Sequence, residues 1–178
     1  MTSVIAVSGL PGAGKSTTVR ALLIALKLIG HKFETFNAGQ ILRDLHKKSE
    51  SSETFEAWYG KTSVELNKQV DEMQAEFIKK HSTILEARFS ALVCQQLGFG
   101  YFGIFVDVPI EVRSQRTGLS KEVLEKRQAD EERKAKELYG KSHVDRKNYH
   151  LFVDTLKSTE DIVKGILENN EFKSHINK

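Results

Sequence analysis

The run Gly9-Leu10-Pro11-Gly12-Ala13-Gly14-Lys15-Ser16 satisfies the pattern G-x-x-x-x-G-K-[ST], and each position has a chemical reason. The glycines let the backbone turn tightly and aim several N–H groups at one point. A helix opening directly afterwards adds its positive N-terminal end there. Lys15 sets a full charge against the β and γ phosphates, and Ser16 offers a hydroxyl to a bridging Mg²⁺. This is not the dinucleotide fingerprint, because no third glycine follows at the spacing that close helix packing requires. The loop therefore points to a nucleoside triphosphate with magnesium.

Further chemistry-bearing residues follow at intervals. Asn37-Ala38-Gly39-Gln40-Ile41-Leu42-Arg43 opens a helix with a glycine for close approach and an arginine on the second turn, a plausible monophosphate cradle. The same residues also fit an ordinary Asn cap beside a surface arginine. Glu86-Ala87-Arg88 follows an apolar run, so Glu86 could orient magnesium through water while Arg88 grips an acceptor phosphate. A surface Glu-Arg pair of little energy is the alternative. Arg113 and Arg116 lie three apart, on one helix face, suited to neutralising phosphoryl oxygens during transfer. Arg127, Glu131 and Lys134 fall at i, i+4 and i+7, where they face either a polar ligand in a closing cleft or open solvent.

The elements that must position these groups alternate along the chain. Short apolar runs at 3–7, 32–36, 83–85, 101–108 and 151–153 read as strands. Helical periodicity covers 15–29, a segment from about Asn37 carrying Ile41, Leu42 and Leu45, then 62–80, 90–97, 111–140 and 159–168. Strands separated by helices require crossovers. The expected fold is thus α/β, a five-stranded parallel sheet flanked by helices, of the P-loop nucleoside triphosphate hydrolase type. Residues 47–61 are polar with a Phe-Trp-Tyr cluster and give no clear element; Trp58 and Tyr59 are expected to pack against their own domain rather than stack on a base.

Composition narrows the class. The 178 residues suit one domain. Hydrophobic residues at 39% and charged residues at 29% are those of a soluble globular protein. Lys and Arg exceed Asp and Glu by 27 − 24 = 3, too little for a dedicated nucleic-acid binder. The single cysteine, Cys94, excludes an internal disulfide framework and reads as a small core residue. No run approaches the roughly 20 apolar residues that span a bilayer. The six histidines show no metal-ligand spacing, and the basic tail with Lys173 and Lys178 reads as solvated and disordered. A GTPase should show N-K-x-D, and AAA-type and helicase ATPases a hydrophobic run ending in Asp-Glu; neither pattern occurs in the sequence.

Taken in order, GLPGAGKST, NAGQILRDL, VDEMQ, ILEARFS, IFVDVPIEVRSQR, RQADEERKAKELYG and YHLFVDT resemble the cytidylate kinases, most closely the short archaeal-type branch of the nucleoside monophosphate kinases. The likeness runs over residues 3–165. It implies ATP- and Mg²⁺-dependent phosphorylation of CMP or dCMP. By position, Gly9 to Thr17 would hold the ATP phosphates, and Gly39, Arg43 and Arg88 the acceptor phosphate. Asp71 and Gln74 would border the CMP pocket, and Arg113 and Arg116 would stand at the start of a lid. Arg127, Glu131 and Lys134 would help hold substrate after closure. Residues 37–81 would form the NMP-binding segment and 111–140 the lid. This chain has Ala87-Arg88 where the family usually has Gly-Arg, Gln40 where an acid is usual, and Lys134 where arginine is commoner.

The expected partners are small molecules, ATP and a nucleoside monophosphate, with no nucleic acid or membrane, for a monomer in the cytoplasm. The alternatives are a small P-loop kinase for AMP, UMP or a non-nucleotide acceptor, or a nucleotide-binding regulatory module without transferase activity.

Overall fold

The computed structural model describes residues 2–177, apart from the Glu56 side chain. Five parallel strands, β1 (Val4–Gly9), β2 (Glu34–Asn37), β3 (Thr83–Glu86), β4 (Phe102–Asp107) and β5 (Leu151–Asp154), form one sheet in the order β2-β3-β1-β4-β5. β1 is fully buried along its length, as a central parallel strand covered on both faces must be. It pairs with β3 from Val4↔Thr83 to Val7↔Glu86 and with β4 from Ile5↔Phe102 to Gly9↔Val106.

The chain leaves β1 towards β2 and later crosses back from β3 to β4. Right-handed connections running in opposite directions put their helices on opposite faces. α1 (Lys15–Leu28) therefore covers one face together with α8 (Thr159–Glu168), and α5 (Ser90–Leu97) covers the other. The reversal opens a crevice at the carboxyl end of β1, where Gly9, Glu86 and Asp107 end their strands. Gly9 is required there, since a Cβ would lie 2.2 Å from the Val106 carbonyl oxygen.

Between β2 and β3 the chain forms α2 (Ala38–Lys48), α3 (Phe55–Lys61) and α4 (Val64–Lys80). α3 lies in the stretch without a clear sequence pattern. Thr54 caps it, accepting from the Ala57 N–H, and His46, Phe55 and Trp58 pack ring on ring. The charged stretch 111–140 is not one helix. α6 (Ile110–Thr117) ends at Gly118, whose φ of +69° closes it in the left-handed region, and α7 (Lys121–Tyr139) restarts on a Ser120 cap.

The C-terminal end also differs from expectation. Lys173 lies in α9 (Asn170–Ile176), which buries Phe172 and Ile176 in the main core. The Phe172 ring meets Phe102 edge-on at 5.1 Å. The basic residues here are the outer face of a packed helix rather than a disordered tail; Lys178 lies outside the described residues. Cys94 is fully buried, and burial pushes its thiol up to about 12. Among the described residues no helix is long and apolar enough to cross a membrane.

Candidate active site

The phosphate loop joins β1 to α1 as the strand–turn–helix its chemistry needs. Gly14, with φ +96°, precedes the first helical residue, Lys15. Gly12 is also left-handed at φ +77°, and a Cβ there would fall 2.7 Å from Thr117 Cγ2, so α6 packs directly against the loop. Lys15 Nζ folds back to donate to the Gly9 and Leu10 carbonyl oxygens at 2.6 and 3.1 Å. Burial lowers its ammonium to about 8. Ser16 donates its hydroxyl to Glu86 Oε1 at 2.5 Å. Adjacent carboxyl ends of β1 and β3 thus bring together two groups 70 residues apart.

A cavity of about 240 Å³ runs from this loop to α2 and α4. Pro11, Lys15, Ser16 and Glu86 line it together with Gly39, Arg43, Tyr59, Asp71, Gln74, Arg88 and Tyr139. Asn37 caps α2 by accepting from the Gln40 N–H. Arg43, one turn on, is exposed and donates to Gln40 Oε1 at 3.2 Å. On α4, Asp71 accepts from Gln74 Nε2 at 2.9 Å and from the Tyr139 hydroxyl at 3.0 Å. Burial raises the Asp71 carboxyl to about 6. Gln74 is buried, and its Oε1 has no hydrogen-bond partner among the described residues.

Arg88 reaches across to Glu131 of α7, Nη1 to Oε1 at 3.2 Å. Its guanidinium also lies 4.7 Å from the centre of the Tyr59 ring. Lys134 sits over the same ring at 3.9 Å and donates to the Tyr59 carbonyl and to Thr62 Oγ1. Burial lowers Lys134 to about 8. Tyr59 therefore joins the 37–81 and 111–140 segments, although it belongs to a helix without a sequence signature.

The sequence-selected basic residues divide. Lys15, Arg43 and Arg88 reach the cavity wall with Gly39, Asp71, Gln74, Glu86 and Glu131. Arg127 is half-buried outside that wall, and Lys134 is turned onto Tyr59 instead. Arg116 is exposed and pinned by Thr155, donating to its hydroxyl at 2.7 Å and its carbonyl at 2.8 Å. Thr155 in turn donates to the Ala13 carbonyl of the loop. Arg113 is buried, donates to Gln128 Oε1 at 3.3 Å, and leaves Nε and Nη1 without a hydrogen-bond partner among the described residues. The Arg113 guanidinium thus keeps donors to spare for an anion, although it lies outside the cavity wall.

Tyr139, Thr155 and His143 are not singled out by the sequence, and Tyr59 is expected there only to pack against its own domain. Tyr139 and Thr155 fall inside stretches that carried the resemblance; the Thr54 cap was the available signal for Tyr59. His143 is fully buried beside Glu132, 2.9 Å from Nδ1 to Oε2, and nothing in its spacing marks it.

A family model described as an AAA domain matches residues 8–137. Curated cytidylate kinases match nearly the whole chain. The one from Methanocaldococcus jannaschii is 31% identical over 93% of this chain and 98% of its own length. The Pyrococcus abyssi enzyme is 30% identical over 93% and 91%. The chain belongs to the cytidylate kinase family. It is a phosphotransferase built on the phosphate-loop domain that the AAA model describes; β4 runs out at Asp107-Val108-Pro109, without the acidic pair of the AAA-type motors. Solved structures with this fold include the APS kinase of Mycobacterium tuberculosis, with TM-score 0.60, 15% identity and coverage of 97% of this chain and 98% of that one. The shikimate kinase of Acinetobacter baumannii superposes with TM-score 0.58 at 20% identity, over 94% and 92%. At such identities the likeness is one of fold.

Proposed function

We propose that this member of the cytidylate kinase family transfers the γ-phosphoryl group of ATP to CMP or dCMP, giving ADP and CDP or dCDP. The observation that carries this reading is one continuous cavity wall leading from Lys15 and Ser16 to Arg43 and Arg88. A donor phosphate and an acceptor phosphate fit at its two ends. The curated relatives are named for the same reaction class.

Gly9, Leu10, Pro11, Gly12, Ala13, Gly14, Lys15, Ser16 and Thr17 hold the triphosphate. Gly39, Arg43 and Arg88 hold the acceptor phosphate, within a 37–81 NMP-binding segment. Residues 111–140 act as the lid, with Arg113 and Arg116 sharing the charge that develops on the transferred group and Arg127, Glu131 and Lys134 stabilising the closed form. The Lys134–Tyr59 contact, which already ties the 111–140 stretch to the 37–81 stretch, supports this reading.

Mg²⁺ suits the donor set, because Ser16 and Glu86 present hydroxyl and carboxylate oxygens 2.5 Å apart at the loop. Among the described residues no cluster of three His, Cys, Asp or Glu could hold a metal, so the ion would be held jointly by these oxygens and the nucleotide. Held by Ser16 and Glu86, the ion would supply neutralisation of phosphate charge during transfer. No general base is needed, since a monophosphate oxygen is already largely deprotonated near neutral pH. Catalysis is alignment plus charge neutralisation, with water excluded by the lid.

Base choice rests on Gln74. Its Oε1 is a buried acceptor without a hydrogen-bond partner among the described residues, and the 4-amino group of cytosine is a donor of matching sense, where uracil carries a carbonyl oxygen at that position. The test is ADP release from ATP and Mg²⁺ with CMP, dCMP, UMP, AMP and GMP in turn. Release with CMP or dCMP alone is expected. Turnover with UMP instead would overturn the role of Gln74, and turnover with AMP the choice of cytosine, while either keeps the transfer.

A further inference from the structure

His143 is buried beside the cavity and takes no part in the reaction proposed above. Its Nδ1 lies 2.9 Å from Glu132 Oε2. A carboxylate only accepts, so Nδ1 carries the hydrogen. The opposite nitrogen, Nε2, lies 3.9 Å from Glu131 Oε2, and neither of these two atoms has a hydrogen-bond partner among the described residues. The other oxygen of Glu131 holds Arg88 at 3.2 Å. One buried carboxylate thus stands between a cation it touches and an imidazole it does not.

The surroundings of the ring are mixed. Glu131 and Glu132 favour a positive ring and Lys15 opposes it, while burial outweighs them and holds the imidazole below its ordinary range. His143 also lines a second cavity, shared with Arg113, Glu125 and Glu132. Phe89 presents its ring at 5.4 Å, roughly perpendicular, and the Tyr149 hydroxyl donates to the His143 carbonyl. With Arg88 on Glu131, the neutral ring turns a bare lone pair towards a carboxylate oxygen, two acceptors facing each other. Removing Arg88 would leave Glu131 charged, buried and unpaired, which is costly. A proton on Nε2 would convert the facing pair into donor and acceptor.

We propose that His143 is a positioning residue for Glu131: when Arg88 leaves for the acceptor phosphate, His143 takes a proton on Nε2 and replaces it as the partner of Glu131. The acceptor half of this inference rests on the reading of Arg88 given above. Only an N–H bond forms; the proton comes from solvent and returns there when Arg88 swings back. The buried charge balances, one guanidinium leaving as one imidazolium forms. Acceptor binding then carries the uptake of about one proton, so acceptor affinity falls as pH rises, by up to about tenfold per unit.

The decisive experiment is ¹⁵N NMR of histidine-labelled protein near neutral pH, on ligand-free Arg88→Met and on wild type titrated with CMP. In Arg88→Met the buried Nδ1–H tautomer is expected to become an imidazolium without any ligand. In wild type CMP should produce the same change, with about one proton taken up per CMP by calorimetry in buffers of different ionisation enthalpy. His143→Gln should lose that uptake and raise KM for the acceptor about tenfold, leaving KM for ATP in place. If that variant does not fold, the other two measurements still decide.

A ring that stays neutral in Arg88→Met, or CMP binding without proton uptake, would overturn the proposal. CMP that neither binds nor turns over would instead overturn the acceptor assignment, and the Arg88→Met spectrum would still decide the Glu131–His143 pairing.

Discussion

Arg88→Ala separates acceptor recognition from donor binding. Arg88 stands at the wet end of the cavity, one-third exposed, while its partner Glu131 is only 3% exposed. A hydrogen bond to a charged group contributes about 1.5–3 kcal/mol, and a guanidinium on phosphate makes up to two. Part of that gain is offset in wild type, because Arg88 must first leave Glu131 at 3.2 Å and the Tyr59 ring at 4.7 Å. The net loss should be about 1.5–3 kcal/mol, a rise of roughly 10- to 150-fold in KM for CMP. KM for ATP should move less than about threefold, since the phosphate loop keeps its own contacts. Initial rates with each substrate varied at saturating partner read both numbers. The variant should also lose about 1–2 kcal/mol of stability, well below the loss for breaking a fully buried pair, because Arg88 is partly solvated. An equal rise in both KM values would refute the assignment of Arg88 to the acceptor phosphate.

Four further outcomes are expected. Burial holds Lys15 at about 8 against 10.5 in the unfolded chain, so between those values the unfolded state binds the proton more strongly and stability rises with pH; urea unfolding should show Lys15→Met more stable than wild type at neutral pH, with the gap closing across that window. By the same reasoning ATP affinity falls as pH passes about 8, because phosphate needs the charged ammonium that the free loop then gives up. Tyr59→Leu keeps the backbone carbonyl but removes the ring under Lys134 and Arg88, a loss of about 1 kcal/mol that should lower kcat/KM for the acceptor roughly fivefold with ATP binding unchanged; identical kinetics would show the bridge to be incidental. Phe172→Ala should cost about 3–5 kcal/mol in chemical unfolding, and a loss below about 1 kcal/mol would contradict the burial of α9.

The legible parts of this chain were those whose period or spacing is local. The five strands and the turn from β1 into α1 follow from short apolar runs and the glycine pattern, and parallel pairing follows from the intervening helices. The fully buried β1 needs no alternation to be recognised, because both faces are covered. What stayed hidden depends on tertiary partners. The break at Gly118 sits in a charged run whose hydrophobic stripe is weak, and α3 is held by rings meeting across two helices rather than by its own periodicity. In the site, Lys15, Ser16 and Glu86 were readable because the sheet order fixes their neighbours. Glu131 was readable as a place on a helix face, but not as the partner of Arg88. Lys134 was expected towards a ligand and instead docks on Tyr59, because the ring and two oxygens of α3 and its cap satisfy a buried ammonium. His143 had no pattern at all, since its two carboxylates matter only once the turn after α7 is folded.

The most direct test of the proposed reaction follows both products at once, with ATP, Mg²⁺ and CMP, and with ATP and Mg²⁺ alone. A cleft that aligns two phosphates and excludes water should give CDP and ADP one for one, with little ADP when CMP is left out. ADP formed at the same rate with and without CMP, or ADP without CDP, would contradict phosphoryl transfer to an acceptor in this cavity.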